Sequence, residues 1–193
     1  MSRFAGCYLA TALLAVPAAA QIGNPAGLDA DTRMAKPGVP ALHQTNNQDR
    51  LFARLAAAGG MAEVELGKLA AGKTETEAVK EFANRMVTDH GTANDRLKQL
   101  AEASKMPLPE KLDAEHAAIR KRLQSLNGKA FDLAYIKAQI VDHQKASHLL
   151  QWEISSGEDA ELQRYAAEIL PRVLLHLEMA RNIHDELAGV VTQ

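Results

Sequence analysis

Four long stretches of this sequence repeat apolar residues at alternating steps of three and four, a period that only helices packed on one face can use. The first runs through Phe52, Leu55, Gly59, Ala62, Leu66 and Leu69. The second holds Val79, Phe82, Met86, His90, Ala93, Leu97 and Leu100. Ile136, Ile140, His143, Ser147, Leu150 and Ile154 mark the third. The fourth is the most regular: Leu162, Ala166, Ile169, Val173, His176, Ala180, Ile183 and Leu187. Much of the 47% hydrophobic content is Ala and Leu, both good helix formers, and aromatics at 4% are too few for an all-β core. The pattern predicts an all-α, up-down four-helix bundle.

Punctuation between the stripes places the connections. Gly72 reads as a helix C-cap, and Thr74 with Glu77 as a capping box that starts the second helix. Met106-Pro107-Leu108-Pro109 breaks the chain. A short additional helix is expected from Glu110 to about Leu126, in the crossover between the second and third long helices, with Asn127-Gly128 ending it. Gly157 closes the third long helix, and Glu158, Asp159 and Glu161 favour the positive end of the fourth.

The N-terminus reads as a targeting segment. Arg3 gives a basic start, Phe4–Val16 is apolar but too short to span a bilayer, and Ala18-Ala19-Ala20 fits cleavage after Ala20. Removal of residues 1–20 takes away Cys7, the only cysteine, and so leaves no disulfide and no thiolate. Residues 21–47, with Pro25, Pro37 and Pro40, are expected to be a disordered tether, and residues 48–189 the bundle. The expected location is the periplasm or outside the cell. The 22 basic and 24 acidic residues are closely mixed, which argues against nucleic acid as a partner.

Three of the stripes carry a histidine where leucine or isoleucine is expected: His90, His143 and His176. With both tight turns assumed to lie at one end, a rise of about 1.5 Å per residue places them roughly 25, 21 and 28 Å from that end. They therefore share a level. The first helix offers only Ala56-Ala57-Ala58-Gly59-Gly60 there, which fits a pocket, a close helix contact or a local break. Pro171, five residues before His176, implies either a kink or a new helix start. Carboxylates are scarce at this level. Glu63 and Glu65 flank the first stripe, with Glu63 at about 15 Å, below the histidines. Asp89 is rotated away from the core, Asp132 reads as a helix-terminus residue, and Tyr135 as half-buried packing. His43, His116, His148 and His184 lie off the stripes.

Met61-Ala62-Glu63-Val64-Glu65-Leu66-Gly67, Met86-Val87-Thr88-Asp89-His90 with Ala93-Asn94, Phe131-Asp132 with Tyr135 and His143, and Leu170-Pro171 with His176-Leu177 occur in that order. Together they resemble the bacterial domain-of-unknown-function 4142 family over about residues 47–188. The resemblance implies a ferritin-like bundle, usually exported and often labelled an outer membrane protein, with no established activity. Val87, Ile140 and Val173 occupy the positions three before the histidines. A Glu-x-x-His di-iron motif is therefore missing. The ten-residue alternation of a membrane barrel is missing as well.

Three neutral imidazoles suit zinc, copper, iron or nickel, so a buried metal site on His90, His143 and His176 is the leading expectation. Glu63 is a weaker candidate ligand, and the thioethers of Met86 and Met179 would serve copper(I) or simply fill core. The alternative is a non-enzymatic envelope-stress or interaction bundle in which the histidines form a structural polar network, with an envelope protein or a second copy as partner. A third reading puts haem or a small apolar ligand between the helices. Hydrolase and nucleotide-binding signatures are absent from the sequence, which names no reaction.

Overall fold

The computed structural model describes residues 39–189, so the expected signal segment, its cleavage point and most of the tether lie outside the described residues. Five helices follow in order: α1 (Asn47–Lys73), α2 (Glu77–Ala103), α3 (Ala114–Ser125), α4 (Gly128–Ser156) and α5 (Ala160–Ala188). The all-α bundle with a short helix in the crossover is present as expected. Among the described residues the sole extended pairing is an isolated bridge between Ala41 and Asp159.

Polar staples at the two ends set the helix directions. Thr74 and Thr76, in the α1–α2 turn, donate their hydroxyls to the two oxygens of Asp132 near the start of α4, both at 2.6 Å. At the other end Asp49, in the first turn of α1, accepts the backbone amides of Glu158 and Asp159 from the α4–α5 turn at 2.9 and 3.3 Å. Ser104, just past α2, donates to Asp159 there. The two tight turns therefore lie at opposite ends, which corrects the assumption used to set the histidine heights. α1 and α5 run one way, α2 and α4 the other, and the segment containing α3 returns the chain along the bundle. The packed neighbours are α1 with α2, α4 with α5, α1 with α4, and α2 with α5.

One local expectation is also corrected. The Thr74–Glu77 capping box does not form: α2 begins at Glu77 itself, and the Thr74 hydroxyl is taken by Asp132. The capping box in the structure is Asn46 with Asp49 at the head of α1. The end of the expected tether is held on the bundle, because Ala41 exchanges backbone hydrogen bonds with Glu158 and Ala160 at 3.0 and 3.1 Å.

The core falls into two apolar clusters. One gathers Leu66, Phe82, Met86, Phe131 and Tyr135 toward the α1–α2 turn. The other gathers Phe52, Leu97, Leu150, Leu162 and Tyr165 toward the α4–α5 turn. Neither α1 nor α5 breaks: Pro171 sits inside one continuous helix, and so do Gly59 and Gly60. The paired glycines do different things. A Cβ on Gly60 would overlap the Asn94 side-chain amide, so this glycine permits close approach of α2. A Cβ on Gly59 would meet nothing within 4 Å.

Candidate metal centre

His90, His143 and His176 meet between the two apolar clusters. Their ring centroids form a nearly equilateral triangle with sides of 5.5, 5.4 and 5.4 Å. One nitrogen from each ring lies within 4.8 Å of the others. His143 and His176 are 1% exposed and His90 9%, so water does little to solvate them. The convergence survives the wrong assumption about the turns for a simple reason. Each histidine sits near the middle of a long helix, so reversing a helix hardly changes its height.

Hydrogen bonds set two of the three tautomers. His143 Nδ1 lies 2.9 Å from the Gln139 carbonyl oxygen, an acceptor, so Nδ1 carries the proton and Nε2 the lone pair. His176 Nε2 donates to Asp89 Oδ2 at 2.8 Å, which leaves its Nδ1 as the lone-pair nitrogen. Among the described residues, His143 Nε2, His176 Nδ1 and His90 Nε2 are buried with no hydrogen-bond partner. All three rings favour the neutral form. Burial first, then His143 and His176, pushes His90 down to about 3. Burial lowers His143 also, partly offset by its bond to Gln139. His176 is pushed down to about 4, chiefly by burial, against the pull of Asp89.

Asp89 is the residue that stripe reasoning missed. It is off the core face of α2, as expected, yet it reaches sideways to His176 on the adjoining α5. Its place immediately before His90 was the available signal. Glu63 was placed too low. Thr74 pairs with Asp132, and Glu63 and His143 each lie eleven residues from that pair, so the two are level, and Glu63 Oε1 lies 3.6 Å from His143 Nδ1. Burial, then Asp142, pushes Glu63 up to about 8, against the Gln139 amide and His116. Tyr135 is fully buried rather than half-buried, with a hydroxyl that has no partner among the described residues. Met86 lies in the apolar cluster around Phe82, and Met179 packs against that cluster.

A cavity of about 630 Å³ opens beside the centre, between α1 and α4. Glu63, His90 and His143 stand at one end, joined by Asp142 and by His116, whose Nε2 is 3.9 Å from Asp142 Oδ2. Leu51, Leu55, Leu149 and Trp152 line the other end. Gly59 is part of the wall, so of the three explanations for the paired glycines, space holds for Gly59 and close contact for Gly60.

The sequence profile described as a domain of unknown function, DUF4142, matches residues 34–183. The chain belongs to that family. No curated protein matches the sequence. Two crystal structures of another domain of unknown function, DUF305, are similar to it. One is a fragment from Deinococcus radiodurans, 15% identical, covering 76% of this chain and 99% of its own, with a TM-score of 0.65. The second, a Streptomyces coelicolor protein assigned as secreted, is 15% identical, covers 73% and 92%, and has a TM-score of 0.64. At this identity the likeness is one of fold.

Proposed function

We propose that this protein is exported and binds one transition metal ion through His90, His143 and His176. The observation that carries the reading is the set of three buried ring nitrogens without a hydrogen-bond partner among the described residues, two of them left as lone-pair atoms by hydrogen bonds on the far side of their rings. A buried polar atom without a partner costs about 1–3 kcal/mol. A polar network that merely fixed helix register would pair its nitrogens with one another, and these are unpaired. A metal ion would satisfy all three at once, and neutral imidazoles are the form that binds.

The donor set fits such an ion. Tetrahedral coordination with bonds of about 2.0–2.1 Å needs nitrogens about 3.3 Å apart. The observed nitrogens lie within 4.8 Å of one another, so binding would draw them together by up to about 1.5 Å. Asp89 and the Gln139 carbonyl would act as the outer partners that fix ring orientation and raise ligand basicity. Glu63 stands near enough to His143 to support the site, and the fourth position would face the cavity. Met86 and Met179 are assigned to core packing, so both Met→Leu changes are expected to leave metal content unchanged. Export rests on Arg3, the apolar run Phe4–Val16 and the Ala18-Ala19-Ala20 site, and no helix among the described residues is long and apolar enough to cross a membrane.

Elemental analysis of untagged protein purified from periplasm tests the reading. About one equivalent of metal is expected in the wild type, and less than about a tenth after His90, His143 and His176 are all changed to Ala. Equal metal in both proteins would contradict it.

A further inference from the structure

The cavity beside the histidines is built asymmetrically. Glu63, His90 and His143 form one end and Leu51, Leu55, Leu149 and Trp152 the other, with Glu115, Lys145 and His148 also in the wall, and two of the unpartnered nitrogens belong to the histidine end. From there it runs toward the start of α1 and the end of α4. Glu63 and Leu51 are both in its wall, and their separation along α1 corresponds to about 18 Å. A volume of about 630 Å³ lies within the range of sites that enclose small organic molecules, and it is far larger than a metal-bound water needs. Glu63 Oε2 and His143 Nε2, both buried and without partners among the described residues, supply hydrogen-bonding and coordinating capacity at that end.

We propose that this cavity binds a single-chain aliphatic molecule carrying one small oxygen-bearing head group. The head completes the coordination of the metal at the three histidines, and the tail lies along α1 and α4 past Gly59 toward Leu51 and Trp152. The inference rests on the metal reading above and gives that site a ligand class. Gly59 is the controlling position, since its missing side chain leaves open space where the tail passes.

Two signals test it on the same sample. Cobalt(II)-loaded protein reports head-group coordination through its visible bands. Trp152, the only tryptophan in the chain, reports occupancy of the far end by fluorescence. The probes are acetohydroxamate and octanohydroxamate, which share a head and differ in tail. Each added methylene buried contributes roughly a fourfold gain in affinity. Octanohydroxamate is therefore expected to shift the cobalt bands at a concentration at least about 100-fold below that needed for acetohydroxamate, and it alone should move Trp152 emission. Gly59→Leu should weaken octanohydroxamate at least tenfold and leave acetohydroxamate within twofold, with Gly59→Ala as the conservative control. Cobalt that binds but is indifferent to tail length overturns this inference and leaves the metal reading standing. A Trp152 response without a change in the cobalt bands overturns the placement of the head. Protein that takes up no cobalt overturns the metal reading and this inference with it.

Discussion

Two buried groups of titratable side chains lie in this bundle, and they are satisfied in opposite ways. At the end where α1 meets the α4–α5 turn, Asp49, Glu153 and Asp159 are almost completely buried. Asp49 accepts amides from Asn46's neighbourhood and from the turn: its own capping partner Asn46, then Glu158 and Asp159. Asp159 caps α5 through the amides of Glu161 and Leu162. Asp49 and Asp159 are consumed by these backbone amides, while Glu153 beside them, whose two oxygens have no hydrogen-bond partner among the described residues, is kept neutral by burial. In the middle of the bundle, by contrast, every backbone amide is already used by its helix. The three imidazoles there each keep a buried ring nitrogen that has no hydrogen-bond partner among the described residues. Burial alone therefore does not mark a functional group. Burial with unused capacity, far from any helix end, does.

Removing a member of each group should separate them. The largest effect is expected at the staple: Asp49→Ala should lower unfolding free energy by about 2–4 kcal/mol in urea titrations, because it deprives a helix cap and two turn amides of their acceptor. Metal content per folded molecule should stay the same. A loss below about 1 kcal/mol would erase the contrast.

Asp89→Ala should cost 10–100-fold in metal affinity, the usual penalty for deleting the outer partner of a ligating histidine. Competition against a chelator of known affinity would measure it, and unchanged affinity would remove Asp89 from the site. His143→Leu should go the other way in stability. Metal-free protein should gain up to about 1 kcal/mol, since an apolar side chain of similar size replaces a buried polar one, while metal uptake is lost. A strong destabilisation would instead favour a structural polar network.

A further effect concerns pH. Burial first, then Asp49 and Asp159, pushes Glu153 up to about 10. The folded chain thus holds a proton that the unfolded chain releases near pH 4.5, the ordinary value. Its contribution is complete below that value and is lost as pH rises toward 10; the lowered histidines act in the opposite sense below about pH 6.5, so stability should fall from there upward. Glu153→Gln, a neutral isostere, should flatten the fall. Some slope below about pH 8 should remain from Glu63, whose shift has the same sign. Midpoint denaturant concentrations at several pH values would show it, and an unchanged slope would exclude Glu153 as its source.

The helices and the histidine triangle were legible because both depend on period and on position along a helix. His90, His143 and His176 lie near helix midpoints, where the direction of the helix matters little. Glu63 is level with His143 because α4 starts four residues beyond the level of Thr74, which pairs with Asp132, an offset the sequence does not show. Asp89 was illegible on a stripe argument because it works across the side of α2, between neighbouring helices. The acidic staple was half visible: Asn46 three residues before Asp49 is a capping pattern. Glu153 gave no signal, since an acid near the end of a helix is ordinarily a solvated one. The sequence lacked a Glu-x-x-His motif, yet the fold brings Asp89 and Glu63 beside the imidazoles from other positions. A carboxylate-poor stripe therefore did not mean a carboxylate-free site.

X-ray absorption at the zinc edge of stoichiometrically loaded protein tests the central claim most directly. Three imidazole nitrogens at about 2.0–2.1 Å are expected, with the outer-shell scattering characteristic of histidine rings and one lighter ligand in the remaining position. A first shell built mainly of carboxylate or water oxygen, or one retained after His143→Leu with its imidazole count unchanged, would contradict it.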